Sequence, residues 1–467
     1  MDWVSKGYLE GEALRRTLAG VFLLVILLTI SASMSKIQLA RAQSTTIYIN
    51  TDGSITPPTT VIITSDKVTY TLTGNITYPT YNGIVVEKNN IVINGNGYTV
   101  QGNSSAVYYQ SAGLSLTGMT NVTFENANIQ GFYYGIYLSD SNNNVIRGNT
   151  AAENNYGILL NSSSNNNVVS GNNATTNNYG IILASSSDSN SVIGNNATTN
   201  NYGILLDTSS NSNSVSENNV TENSDDGIYL LSSSSNTVSG NTAAADNVGI
   251  SLSYSSKNTV SSNNATENNA GIFLDVSADN NIISENTATE NGNDGIELYS
   301  SSHNTISGNT ATANNVGISL SYSSSNTVYH NNFNGNVAQA SVDSGSLSNV
   351  WDNGYPSGGN YWSDYRTKYP NATEIGSSGI WNTSYVIDAN NKDRYPLMNQ
   401  SVIPEFQPFM FLVLFMIITL LGAIAYKKRA PKACNLEEGR IELVFKRKWK
   451  RARRELNPGP PDFHAQR

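Results

Sequence analysis

One cysteine, Cys434, occurs in the whole chain, and it lies near the C-terminus. A lone thiol forms no intrachain disulfide, so everything before it must be held by packing and hydrogen bonds. Histidine is nearly as scarce, with only His303, His330 and His464 present. Basic residues are rare before the C-terminus: residues 43–426 carry 8 Lys/Arg against 27 Asp/Glu, a net of −19. Residues 427–467 reverse this with 13 basic against 5 acidic, a net of +8. An acidic body of this kind repels polyanions, so nucleic acid is not expected as a partner.

What the chain does have is repetition. From Asn144 to Phe333 it writes Asn-x-(Val/Ile)-x-x-Asn-(Asn/Thr)-(Ala/Val/Phe) nine times, with a Gly-Ile-x-Leu phrase about midway through each interval. The aliphatics Ile146, Val169, Val192, Val215, Val238, Val260, Ile283, Ile306 and Val328 are spaced by 22 or 23 residues. Locked spacing of this kind excludes polar low complexity and means one unit stacked on itself. A unit with so few apolar residues has no core of its own and must bury them against its neighbours.

Ile and Leu at period two, as in Ile158 and Leu160, mark one face of a short strand. The Asn-flanked phrase suits two further short strands joined by a bend. Three strands and three bends make a coil, and the predicted fold is all-β: a right-handed parallel β-helix of about eleven coils with a 22–23-residue repeat. A leucine-rich repeat would need more leucines and a recurring convex element. At roughly 4.8 Å per coil the stack would be about 50 Å long.

Three asparagine columns should serve the bends, where Asn tolerates the left-handed region and bonds locally. One begins at Asn144. A second is the ladder Asn149, Asn172, Asn195, Asn218, Asn241, Asn263, Asn286, Asn309 and Asn331. The third runs Asn155, Asn178, Asn201, Asp225, Asn247, Asn269, Asn293 and Asn315.

The ends speak of place. Residues 1–42 read as a signal peptide, with Arg15-Arg16, an apolar run from Leu18 to Ile30 and a small-x-small site at Ala40-Arg41-Ala42; a retained signal anchor is the alternative. Residues 43–80 are expected to form an N-terminal cap, 81–335 the β-helix, 336–400 an aromatic-rich C-terminal cap and 401–408 a short linker. The 18 uncharged residues 409–426, followed by Lys427-Lys428-Arg429, read as a transmembrane helix with the basic tail 427–467 in the cytoplasm. The expected protein is single-pass in the cell membrane with its ectodomain outside. That tail could touch anionic lipid or be an unselected extension of the reading frame. Eleven Asn-glycosylation sequons lie outside the expected membrane span.

IYINTDGSI, GIVVEKNNIVINGNGYTVQG, the phrase from Gly359 to Tyr365 (GNYWSDY) and Asp393-Arg394-Tyr395-Pro396-Leu397 carry a family resemblance. The chain resembles archaeal surface proteins with NosD-type right-handed parallel β-helix repeats. The resemblance implies fold and surface display; it leaves activity open, because such helices occur in carbohydrate-processing enzymes, copper accessory proteins and surface proteins alike. It also implies a C-terminal cap that in relatives commonly carries an acidic, Gly-punctuated loop of calcium-binding look. Here the interval Arg366–Ser384 has Glu374 as its only carboxylate, leaving Asp364 and Asp388 as the pair that could meet in space. No metal or other cofactor is expected, and calcium is the ion that remains open.

Copper(I) prefers Cys, Met or His, and the exported region offers only Met119, Met398, His303 and His330. A glycan-cleaving enzyme needs paired carboxylates. Asp226 and Asp294 share a column but lie three coils apart, which leaves the diagonal pairs of Asp275 with Asp294 or Glu297 as candidate catalytic residues. A binding strip is the other candidate. The outward column Tyr137, Leu159, Ile182, Leu205 and Tyr229 joins Tyr134, Tyr156, Tyr179 and Tyr202, each just before a Gly. Such a strip suits sugar rings or a protein partner. The expected function is therefore a structural, adhesive or glycan-binding scaffold, its partner a cell-surface glycan or surface-layer protein. A lyase, hydrolase or epimerase is the alternative, and a NosD-like copper accessory role a more distant one.

Overall fold

The computed structural model of the chain describes residues 45–79, 81–103 and 110–401. They form an all-β, right-handed parallel β-solenoid of about twelve turns. The expected signal peptide, transmembrane helix and basic tail lie outside the described residues. Among those described, no helix is long and apolar enough to cross a membrane.

One coil shows the rule. Tyr156–Asn161 lies in a first sheet (A), Val168–Ser170 in a second (B) and Asn173–Thr175 in a third (C). Each pairs in parallel with its equivalent one coil on: Ile158 with Ile181, Val169 with Val192, Ala174 with Ala197. Four side chains per coil point inward, here Ile158, Leu160, Val169 and Ala174, and none of them is accessible. Each buried Ile, Leu or Val contributes about 1.5–3 kcal/mol, so the core is a column of small equal increments.

The glycine of Gly-Ile-x-Leu is dictated by coil spacing. A Cβ on Gly180 would lie 2.4 Å from the carbonyl oxygen of Gly203, and one on Gly157 2.5 Å from that of Gly180. No side chain fits between coils at that corner.

The asparagine columns are corrected by the structure. The third buried ladder is Asn154, Asn177, Asn200, Asn223, Asp246, Asn268, Asn291, Asn314 and Asn336, one or more residues before the expected column. Asn155, Asn178 and Asn201 instead form a short outer ladder of side-chain bonds. The ladder asparagines are also not the left-handed residues. Those precede them: Asn143, Asn166 and Ser189 before the first ladder, Glu153, Thr176 and Thr199 before the third, all with φ between 55° and 60°. The ladder side chains do the bonding instead. Asn195 donates from Nδ2 to the Val169 carbonyl (2.9 Å) and to Asn218 Oδ1 (3.0 Å), while its Oδ1 accepts from the backbone N–H of Asn172 (2.9 Å). A fourth buried ladder, of serines from Ser141 through Ser164, Ser187, Ser210 and Ser233, was missed in the sequence because serine is common everywhere in this chain.

The solenoid starts before residue 81 and ends after 335. Ile47–Ile49, Thr69–Leu72 and Ile76–Thr77 already pair in parallel with the next coil in the three sheets. Ile55–Thr56 and Ile62–Ile63 add antiparallel strands at that end, which limits edge pairing with another chain. At the other end Ala338–Val342 and Tyr361–Trp362 make a last coil. Its apolar end is covered by aromatics: Trp362 stacks on Phe333 at 4.8 Å and on Tyr385 at 4.1 Å. Asp393 ties this cap together, accepting from the N–H of Asn360 and of Trp362 Nε1 at 2.6 and 2.9 Å.

Candidate functional site

The outer face of sheet A departs most from what the fold requires. In later coils the outward column holds Ser251 and Ser319, so a polar residue folds there without difficulty. In earlier coils it holds Leu159, Ile182 and Leu205, which form a second apolar cluster outside the solenoid and are only 6%, 3% and 8% exposed. Tyr134, Tyr137, Tyr156, Tyr179 and Tyr229 pack against that cluster. The strip read from the sequence is thus one physical object, although its aliphatic members lie beneath the tyrosines and present little surface of their own.

The tyrosines form a ladder along the solenoid axis. Tyr156 and Tyr179 stack with centroids 5.0 Å apart and planes 9° apart, and Tyr179 and Tyr202 at 5.3 Å and 8°. Tyr134 stacks on Tyr137 at 4.6 Å, and Tyr202 on Tyr229 at 6.1 Å. The rings use their faces on one another, so the strip offers ring edges and phenol oxygens at a repeat near the coil spacing. Burial first, and then neighbouring tyrosines, push the Tyr156 hydroxyl up to about 12. A hydrogen bond to Asp225, followed by burial, raises that of Tyr202. Both remain protonated hydrogen-bond donors at neutral pH.

Beyond Tyr229 the face becomes acidic. Burial pushes Asp226 up to about 7, assisted by Asp225, Asp246 and Asp275. Burial likewise raises Glu297 to about 7, with Asp294 and Asp275 adding repulsion, and Asp294 to about 6. Asp275 and Glu297 sit on adjacent coils at diagonal positions, since Phe273 is the register partner of Glu297. Diagonal neighbours of this kind lie roughly 7–8 Å apart. The proposed partnership of Asp275, Asp294 and Glu297 is therefore an electrostatic group, with Asp294 and Asp275 both acting on Glu297. Asp226 was passed over in the sequence because its columnar partner is three coils away. The acids that act on it are Asp225 beside it, Asp246 inside the corner and Asp275, in a different column two coils on.

Asp246 is the one acid in the third ladder. Its Oδ1 accepts from the backbone N–H and Nδ2 of Asn223 at 2.7 and 3.0 Å, as an asparagine there would. Its buried Oδ2 has no partner. In the register of its neighbours, where Asn223 Nδ2 donates to Ala197 and Asn268 Nδ2 to Ala243, an amide at 246 would serve the Val220 carbonyl. A carboxylate cannot donate there, whereas a carboxylic acid can. Burial raises Asp246 to about 7, against the pull of the Asn223 donors.

The metal candidates are dispersed. His303 and His330 are left-handed corner residues before ladder asparagines of different columns, and His330 Nε2 lies 2.9 Å from the Ser357 carbonyl oxygen. Met119 follows the sheet A strand Ala112–Thr117, while Met398 belongs to the C-terminal cap. Asp364 accepts from the Tyr385 hydroxyl, and Asp388 from the N–H groups of Asn390 and Asn391. Among the described residues, no group of three or more His, Cys, Asp or Glu could hold a metal.

Residues 28–219 and 202–367 match the family described as periplasmic copper-binding protein (NosD). The chain belongs to the NosD family. Its described donors, two separated histidines and two separated methionines, do not fit a copper centre. In fold, this NosD-family chain is similar to the mannuronan C-5 epimerase AlgE4 A-module of Azotobacter vinelandii, with 15% identity, TM-score 0.44, and 60% of this chain and 79% of that one covered. It is similar to the periplasmic alginate epimerase AlgG, with 18% identity, TM-score 0.39, and 65% and 83% covered. A DFA-IIIase from Arthrobacter chlorophenolicus A6 matches with 13% identity, TM-score 0.39, and 62% and 82% covered. These likenesses are of fold alone and transfer no residue role. No curated protein matches the chain.

Proposed function

We propose that this NosD-family protein is a cell-surface scaffold that binds glycan chains along the outer face of sheet A. The observation that carries this reading is the cluster of Leu159, Ile182 and Leu205 under stacked tyrosines, in a column that accepts serine elsewhere. A solvated face gains nothing from such residues, while a ligand laid along the axis meets donors repeating at about the length of one sugar unit. The sequence features of residues 1–42 and 409–426 support display outside a membrane, with the tail inside. The reading places the glycan, or a surface-layer protein bearing it, against Tyr134, Tyr156, Tyr179 and Tyr202.

A second reading, glycan processing, is favoured by one observation: Glu297 is raised toward neutrality beside Asp275 at a diagonal spacing. A raised acid and a second carboxylate at a diagonal position on the adjacent coil are the elements of an inverting hydrolase. Full-length protein tested on a glycan array and in a reducing-end and unsaturated-product assay separates the two. Binding without product is expected. Product lost in Glu297→Gln and Asp275→Asn would replace the scaffold reading with the enzyme.

A further inference from the structure

Sheet C carries an outward column whose residues the fold explains at every coil but one. One position after the second asparagine ladder, it runs in register from Asn173 through Asn196, Asn219, Thr242 and Asn264 to Thr287. Threonine suits an outward strand position, whereas asparagine is depleted there. Asn173, Asn196 and Asn219 gain bonds in compensation: Asn196 donates from Nδ2 to Asn173 Oδ1 and Asn219 to Asn196 Oδ1, both at 2.8 Å. Asn264 gains none. It stands exposed between Thr242 and Thr287, and its side chain bonds to none of the described residues.

Asn264-Ala265-Thr266 is also an acceptor sequence for N-glycosylation. Ala265 is fully buried, so Asn264 and Thr266 share the outer face of their strand. Small residues flank Thr266 as well, Ala244 on one coil and Thr289 on the next. From Thr150 to Thr312 the sheet C strands contain no charged residue, which leaves a face of hydroxyls, amides and methyls. Coil spacing then decides which acceptor in the column has room. Asn173, Asn196 and Asn219 lie on successive coils about 4.8 Å apart, too close for three glycans side by side. The nitrogen that would carry the sugar is already committed in Asn196 and Asn219. Asn264 lies two coils beyond Asn219, about 10 Å away, with its nitrogen free.

We propose that Asn264 is a modification site, carrying an N-linked oligosaccharide on the outer face of sheet C. The donor is an oligosaccharide on a lipid-phosphate carrier. The bond from the sugar C1 to the phosphate oxygen breaks, the C1–Nδ2 bond forms, the amide gives up one proton and the lipid phosphate leaves as an anion. This rests on the outward display proposed above, because the transfer acts on exported chain. The sugar adds outside the coil: Asn264 loses no bond, and Ala265 stays in the core. The tyrosine ladder lies on sheet A, so a glycan on sheet C leaves it uncovered.

The test is glycopeptide mass spectrometry of full-length protein purified from its native cells. Cleavage at glutamate puts Asn219 and Asn264 on different peptides, because Glu222 lies between them. The expected result is a sugar-bearing Asn264 peptide in most molecules, with Asn196 and Asn219 mostly bare. Asn264→Thr and Thr266→Ala should each remove one glycan mass from the intact protein, whereas Thr266→Ser should retain it. Both losses should leave the β-rich circular dichroism unchanged, since Thr242 and Ala244 already hold those positions one coil earlier. A purely structural role for Asn264 would not respond to Thr266→Ala. Bare Asn264 in cells whose Ser212 epitope is cut by added protease overturns the modification and leaves the display reading intact. Bare Asn264 with that epitope protected removes both. Sugar on Asn196 or Asn219 as complete as on Asn264 overturns the selection by bonding and spacing.

Discussion

At the residue scale, stability is set by whether each ladder side chain replaces the bonds that the stacked backbone needs. Asn195 serves three acceptors through Nδ2, the Val169 and Ile193 carbonyls and Asn218 Oδ1, whereas the buried Nδ2 of Asn213 has no partner. Asn195→Ala should therefore cost about 1–3 kcal/mol, and Asn213→Ala distinctly less, in urea unfolding. Asp246 gives the sharper contrast. Restoring the missing donor with Asp246→Asn should raise stability at about pH 8 and change little at about pH 5, where the acid is protonated and already donates. The sequence held the clue. Each third-ladder residue lies five positions after a second-ladder asparagine, as 154 follows 149 and 246 follows 241. Anchoring on the following Gly-Ile instead shifts the column, because Asn154-Asn155 and Asn177-Asn178 are doublets and two coils carry an extra residue, Ser224 and Gly292. The left-handed positions were hidden for a related reason: Glu, Thr, Ser and Ala occupy them as often as Asn, so backbone geometry imposed by stacking overrides local preference.

At the element scale, the inward strand faces were legible because Ile-x-Leu is a period-two signal repeated nine times. The outward faces were only half legible. Large residues at alternate positions announced the strip, but ring stacking and the burial of Leu159, Ile182 and Leu205 depend on contacts between coils that no single strand encodes. The glycine column makes a testable distinction. Gly180→Ala should unfold the stack locally, since its Cβ would meet the Gly203 carbonyl at 2.4 Å. Gly171→Ala meets nothing within 4 Å and bears only the left-handed backbone cost at φ +60°, about 1–2 kcal/mol. Amide exchange should show the first variant opening across several coils and the second opening none.

At the scale of the whole molecule, acids raised by burial set the pH response. Asp226, Asp246 and Glu297 hold their protons to about 7 when folded, against 3.8 to 4.5 when unfolded. Between those limits the folded state binds more protons, so their contribution is full below about pH 4 and is lost as pH rises through about 7. Asp352, lowered by its Arg394 partner despite burial, works in the opposite sense and loses its contribution only in strong acid. Melting temperature should accordingly rise from pH 8 to pH 5, and an unchanged or falling value would contradict the buried-acid assignment. Topology is tested on cells: added protease should remove an epitope at Ser212 and spare one placed after Ala430, and the reverse pattern would invert the proposed display.

The central claim is that the tyrosine ladder is a ligand surface, and the most direct measurement is binding of full-length wild type and Tyr156→Ser/Tyr179→Ser/Tyr202→Ser to the same glycan array. The account predicts that the variant, with its core columns untouched and its β-rich circular dichroism retained, loses at least tenfold in affinity for every glycan the wild type holds. Equal binding by a folded variant would show that the ladder is only a covering for Leu159, Ile182 and Leu205.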